Sequence, residues 1–283
     1  MTGSDQASNP EQGRTSEETL TFRGFHHLTA VSSQIRENKR FYTETLGLRL
    51  VKRSVNQDDT SAYHLFYADK VGSPGTDITF FDWSVPRERR GNRTVTRTGF
   101  RVAGEAALYY WLARLTDMGV EHGQIETVDG RLQLRFEDFE GQRLALVDDG
   151  GLGDAPVPWE ASPVPAEFQL RGLGPITMTV PQLDTTDAVL RGVTSMRHDR
   201  VYADPEGPEH EVHVYQMGGP GPQAELHVAV RADLPVAHPG AGGVHHVAFR
   251  SANDQEHRQW LDLLTDMRIP NSGWVDRYWF RSI

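Results

Sequence analysis

The run GFHHLTA at residues 24–30 returns as GVHHVAF at residues 243–249. A glycine, an apolar residue, a histidine pair and an apolar-rich stretch thus recur more than two hundred positions apart. Self-similarity of this kind constrains a fold more than any single propensity, because each repeat is a unit that cannot bury its apolar face alone. From Phe25 a strand-like run leads into a helical stretch over Gln34 to Thr45, where Ile35, Phe41, Tyr42 and Leu46 recur at roughly helical spacing and Gly47 ends the helix. Three β-rich runs follow, LRLVKRSV, AYHLFYA and DITFFDW, separated by turn formers at Asp58-Asp59 and Ser73-Pro74-Gly75. The order is βαβββ.

The same order begins again at Thr94, with RTGFRVA, a helix over Ala106 to Met118, and strands near Gln124, in LQLRFE and in RLALVD. A third copy starts at LGPITMTV and passes through a helix over Leu183 to Leu190 into RHDRVYA, HEVHVYQ and AELHVAV. The fourth starts at GVHHVAF, has a helix over about Asp254 to Met267, and stops at Ile283, one or two strands short of the pattern. The expected class is therefore α+β, built from four tandem βαβββ modules paired into two domains, with the fourth module incomplete. The proline-rich run DAPVPWEASPVPAEF reads as a linker. Expected boundaries are a disordered tail over 1–21, an N-terminal domain over 22–153, a linker over 154–170 and a C-terminal domain over 171–283.

Composition narrows the chemistry. With no cysteine in 283 residues, thiolate ligands and disulfides are excluded, so a metal would be held by histidine, carboxylate, tyrosine or water. The net charge of -10, with arginines scattered among acids, argues against a nucleic-acid partner. No apolar stretch approaches the roughly 20 residues that cross a bilayer, and the first twenty residues lack the apolar region of a secretory signal. No membrane association and a cytoplasmic location are the expectations. Neither a GxSxG elbow, a P-loop nor a dinucleotide fingerprint occurs.

The histidine pairs are the candidate site. Alternation along a regular strand sends neighbours to opposite faces, so adjacent histidines cannot both face one metal from such a strand. Phe25, His27 and Thr29 would share one face and His26 and Leu28 the other; His246 and Ala248 would oppose His245 and Val247. Alternation asks for one ligand from each pair without choosing which. The second and third modules, at RTGFRVA and LGPITMTV, have no histidine at the matching site, which sets the first and last modules apart. His210 and His213 in HEVHVY face opposite ways and do not make a metal site. Glu225 and His227 share a face and could pair, or simply sit on a solvated edge strand. His64 lies opposite Tyr63 and Tyr67, whose expected role is aromatic core packing.

These residues resemble the vicinal oxygen chelate superfamily, and within it the hydroquinone-cleaving ring dioxygenases often grouped with glyoxalases. The resemblance rests on GFHHLTA, FYTETLGLRLVKRSVN, YHLFYADKVGSPGTDITFFDW, PWEASPVPAEFQLRG, GGVHHVAF and DRYWFRSI, of which YHLFYADKVGSPGTDITFFDW is the most specific. It implies a mononuclear Fe(II) site, with Mn(II) or Zn(II) as other occupants. The second histidine of each pair, His27 and His246, would ligate the metal together with a glutamate that in such enzymes lies on the last strand of the fourth module, beyond Ile283. It further implies catalytic positions at His26, Thr29, His245 and Arg277, with a histidine accepting the substrate hydroxyl proton and Arg277 stabilising anionic oxygens. LGPI departs from relatives that carry a histidine there. The implied reaction is oxygenolytic cleavage of a para-dihydroxylated ring, with a small aromatic substrate and O2 as partners and room for a homo-oligomer. Two rivals stand beside it: a glyoxalase-type isomerase or catechol-cleaving relative, and a metal-free protein that sequesters aromatic compounds.

Overall fold

The computed structural model describes residues 20–55, 62–277 and 280–283. The expected tail, apart from residues 20 and 21, and the turn at Asp58-Asp59 lie outside the described residues. The first module runs from strand Phe25–Ser32 (β1) through helix Ile35–Arg40 (α1) to strands Arg49–Val55 (β2), Tyr63–Ala68 (β3) and Asp77–Asp82 (β4). The helical stretch expected over Gln34 to Thr45 divides in two, because its second half, Phe41–Thr45, is a wider π-type turn. There Leu46 N–H donates to the Phe41 carbonyl, and the adjacent rings of Phe41 and Tyr42 are both buried. Gly47 ends the segment at a φ of 70°, where a Cβ would fall 2.6 Å from Val164.

The second module follows the same order: Thr94–Val102 (β5), helix Gly104–Asp117 (α2), then His122–Val128 (β6), Arg131–Glu137 (β7) and Arg143–Asp148 (β8). The third has Leu173–Val180 (β9), helix Asp184–Gly192 (α3), and strands Arg197–Asp204 (β10), Gly207–Gln216 (β11) and Glu225–Val230 (β12). The fourth has Val244–Phe249 (β13), helix Asp254–Asp266 (α4) and a short ladder of Val275–Asp276 (β14) with Arg281–Ser282 (β15).

Sheet pairing joins modules that are far apart in sequence. One sheet has the order β13-β1-β4-β3-β2, so the first module is completed by a strand of the last. The other has eight strands in the order β10-β11-β12-β9-β5-β8-β7-β6, uniting the second and third modules through the antiparallel contact of β5 with β9. At that seam the backbones approach closely: a Cβ on Gly99 would fall 2.4 Å from the Pro175 carbonyl oxygen. Alternation then sorts each strand. In β7, Leu132, Leu134 and Phe136 turn toward the helices and the core, while Arg131, Gln133 and Arg135 line the other face; in β8, Leu144 and Leu146 alternate with Arg143, Ala145 and Val147. A single cluster of buried side chains spans both sheets, from Leu28, Tyr42 and Phe80 to Phe100, Trp111 and Val228. Each sheet thereby keeps a second face turned away from that cluster, called its cup, and on the eight-stranded sheet this face lines a cavity.

Candidate metal centre

The first cup is floored by β13, β1, β4 and β3. Pairing of β1 with β13 is irregular in two places. Phe25 opposes Phe249 and His27 opposes Ala248, so His26 is an extra residue on β1. Thr29 opposes His246 and Ala30 opposes Val244, so His245 is an extra residue on β13. Each histidine pair therefore sits on a β-bulge, which re-aims side chains and suspends strict alternation. This corrects two expectations. Phe25 does not share the face of His27 but joins Leu28 and Ala30 in the core, and the members of each pair are not turned away from one another. His26 Nδ1 lies 2.9 Å from His27 Nδ1, and His245 Nδ1 lies 2.8 Å from His246 Nδ1.

The two pairs meet. His27 Nε2 and His246 Nε2 are 3.3 Å apart, inside the roughly 4 Å that two ligands of one first-row ion at about 2.1 Å can span. Thr29 Oγ1 is 3.1 Å from His246 Nε2 and 2.8 Å from Thr79 Oγ1, which is in turn 2.8 Å from His64 Nε2. Polar contacts thus cross four neighbouring strands. Burial holds the imidazoles in their neutral, lone-pair-bearing form: His27 is pushed well below the ordinary histidine value, His26 and His246 down to about 4, and His64 down to about 3. The cations of Arg250 at His26 and Arg277 at His246 add to this, and a proton on His27 would be further disfavoured by any charge on His26, His246 or His64. His245, the most exposed member, is lowered by burial as well.

Each Nδ1 contact between neighbours needs one hydrogen. If His27 and His246 present Nε2 lone pairs to a common point, their Nδ1–H groups donate to His26 and His245, which fixes the tautomers of both ligands. Arg277 sits near enough to His246 to lower its pKa, and its Nε donates to Ser282 Oγ at 3.2 Å. Rings wall the cup. Phe280 lies 5.0 Å from the His27 ring, Phe81 stacks on Trp83 at 4.8 Å, and Trp83 meets His245 edge-on at 5.4 Å. Trp83 Nε1–H is buried with no hydrogen-bond partner among the described residues.

All six residues singled out from sequence, His26, His27, Thr29, His245, His246 and Arg277, gather at this cup. Sequence reasoning left the face of His64 open and did not single out Thr79, Phe81 or Trp83. Their signal was available in DITFFDW, where Asp77, Thr79 and Phe81 alternate, but its parity relative to His27 comes only from the parallel pairing of β4 with β1. Of the two tyrosines, Tyr67 is core as expected, whereas Tyr63 is exposed. The donor chemistry fits a divalent first-row ion as far as two neutral imidazoles go. Asp77 is the register partner of His27, and burial raises its carboxyl to about 7. Yet among the described residues the one trio of ligand atoms lying mutually within 4.8 Å is Asp129, Glu225 and His227.

That trio belongs to the second cup, formed by the eight-stranded sheet. Glu225 and His227 do pair, at 3.2 Å, but on an interior strand where they are only 1% and 3% exposed, so a solvated edge does not account for them. Arg131 grips Glu225 through both carboxylate oxygens at 2.7 Å, and Arg200 bonds both Glu225 and Asp129. Two guanidinium groups already neutralise the two carboxylates, so a dication would have to displace them.

Comparison with known proteins agrees with this architecture. Residues 24–146 match the family model described as the Glyoxalase/Bleomycin resistance protein/Dioxygenase superfamily. The chain is 39% identical over 268 residues to the Bacillus subtilis (strain 168) protein named "Putative ring-cleaving dioxygenase MhqA", covering 93% of this chain and 83% of that one. It is 27% identical over 239 residues to the "Chlorohydroquinone/hydroquinone 1,2-dioxygenase" of Sphingobium indicum, covering 81% of this chain and 71% of that one. A solved Bacillus subtilis structure described as a putative dioxygenase superposes with a TM-score of 0.82 at 28% identity, covering 93% of this chain and 81% of that one.

Proposed function

Since the chain belongs to the Glyoxalase/Bleomycin resistance protein/Dioxygenase superfamily, we propose that it is an Fe(II)-dependent ring-cleaving dioxygenase whose substrate is a hydroquinone-like aromatic diol. The observation that carries this reading is the 3.3 Å approach of His27 Nε2 to His246 Nε2 from the first and last modules. The names of the relatives, two of which specify ring cleavage or hydroquinone dioxygenation, support the same class. His27 and His246 would hold the iron, which supplies Lewis acidity toward a ring hydroxyl and a path for electrons to O2.

The remaining residues bind, orient and donate hydrogen bonds. His26 and His245 accept the ligands' Nδ1–H groups and keep both Nε2 lone pairs aimed inward. Burial favours the neutral form of His245, and with its Nδ1 accepting from His246 its Nε2–H is left to donate to a substrate oxygen. Phe81, Trp83 and Phe280 present ring faces and edges suited to an aromatic substrate and exclude water from the histidines. Trp83 Nε1–H offers a donor for a second ring oxygen, and the fixed cation of Arg277 favours an anionic substrate beside His246.

The test is anaerobic loading with Fe(II) followed by O2 uptake on addition of hydroquinone. Stoichiometric uptake, lost in His27→Ala, is expected. Absence of uptake by iron-loaded protein, or turnover with Ni(II) or Zn(II) that needs no O2, would remove the proposal.

A further inference from the structure

The second cup encloses a cavity of about 80 Å³, open to solvent on one side, and its wall is unusually rich in arginine. Arg97 enters from β5, Arg131 and Arg135 from β7, Arg143 from β8 and Arg231 beyond β12, against three lining acids, Asp129, Asp204 and Glu206. Most of this charge is paired. Arg131 is committed to Glu225, and Arg231 bonds Asp204 at 3.0 Å and Asp233 at 2.9 Å. The other end of the cavity is different.

There, the arginines share their carboxylates unevenly. Arg97 hydrogen-bonds Glu206, Arg135 pairs with Glu126 at 2.9 Å and lies 3.7 Å from Glu206 Oε1, and Arg143 is drawn to Glu206 and Glu88 while being repelled by Arg90 and Arg97. Arg143 Nη2 is buried and has no hydrogen-bond partner among the described residues. A buried cationic N–H left without an acceptor is a standing demand for an anion. Glu206 only partly meets it. It is carried by the turn between β10 and β11, its side chain is 47% exposed, and it reaches the arginines from outside the sheet. Below them the wall becomes apolar at Ala145, Val147 and Val212.

We propose that Arg97, Arg135 and Arg143 form a binding site for a small organic carboxylate with an apolar body, and that Glu206 is its internal competitor. The guanidinium fork matches a carboxylate edge in two parallel hydrogen bonds, and the valine and alanine wall accepts the hydrocarbon part. Glu206 occupies the position while the site is unliganded and swings toward solvent on the β10–β11 turn when a ligand carboxylate enters. The site lies in the cup of the second and third modules, and its occupancy requires neither iron nor O2.

The probe is benzoate, with benzamide as the uncharged match in shape and inorganic phosphate as the alternative anion, each titrated by calorimetry against the whole chain. Benzoate should bind saturably, benzamide and phosphate should not, and Glu206→Gln should tighten benzoate about tenfold by removing the competing charge. Arg143→Gln should abolish the heat. Should Arg143→Gln fail to fold, the gain expected of Glu206→Gln still decides the matter. No saturable benzoate binding to either wild type or Glu206→Gln overturns the proposal, as does benzamide binding equal to benzoate, and phosphate binding in preference to benzoate replaces the carboxylate assignment.

Discussion

Both cups are built from βαβββ modules, on a five-stranded sheet in one and an eight-stranded sheet in the other, and the side chains on their polar faces differ in kind. In the first, the polar face of the sheet carries uncharged imidazoles, threonine hydroxyls and aromatic rings. In the second, the corresponding face carries arginines and carboxylates in a nearly closed network. The first buries groups that stay neutral and leaves lone pairs aimed at one point; the second buries charges and neutralises them in place. Scaffold geometry is thus indifferent to chemistry, and what a cup can bind is decided by whether its inward residues leave something unsatisfied. In the first cup that is a pair of lone pairs, in the second a guanidinium edge.

The largest expected effect tests the first half of this contrast. His27→Ala and His246→Ala should each lose bound iron and O2 uptake by more than the roughly 10–100-fold that loss of an outer hydrogen-bond partner costs a metal site, read by elemental analysis and oxygen electrode. Retention of full iron content in both variants would mean that the convergence of the two rings is not a metal site. Next in size, Glu225→Ala should leave Arg131 and Arg200 facing a lost partner and cost about 3 kcal/mol in denaturant unfolding, with iron content unchanged. An equal loss of iron would show that the cups are not independent.

A smaller effect belongs to Thr29, whose hydroxyl touches His246 and Thr79. Thr29→Val keeps the shape and removes the contact, and should weaken iron binding by about tenfold; no change would demote the hydroxyl to packing.

The smallest effect concerns protons. His64 is held at about 3 in the folded protein against 6.5 unfolded, so between those values the unfolded chain binds a proton that the folded one refuses. Its stabilisation is complete above pH 6.5 and is lost as pH falls through that window. Between pH 7 and 6 this amounts to at most about 0.7 kcal/mol. His64→Leu should flatten the pH dependence of unfolding in metal-free protein by that amount, whereas Arg143→Gln, in a cup whose lining arginines stay charged throughout that range, should leave the slope as it is.

Much of this was legible in the chain. The recurrence of GFHHLTA as GVHHVAF, absent from RTGFRVA and LGPITMTV, singled out the first and last modules, and the strand and helix runs lie where their periodicity put them. The histidine parity was not legible. Alternation assumes a regular ladder, and the two extra residues at His26 and His245 become visible only when β1 and β13 are laid side by side. The second cup was hidden for a related reason. RLQLRFE reads as a strand with one wet face, and nothing in it says that the arginine face curls inward. AELHVAV likewise looked compatible with an edge, until β9 and β11 were found on either side of it.

Sequence by itself determined the four modules, the absence of thiolate chemistry and the identity of the histidines, because repeats, composition and residue type are properties of a line of letters. Tertiary structure decided which modules share a sheet, where the bulges fall and which polar face lines a cavity. Those depend on hydrogen-bond register between strands that can lie more than two hundred residues apart, and register is a relation between segments that neither segment carries alone.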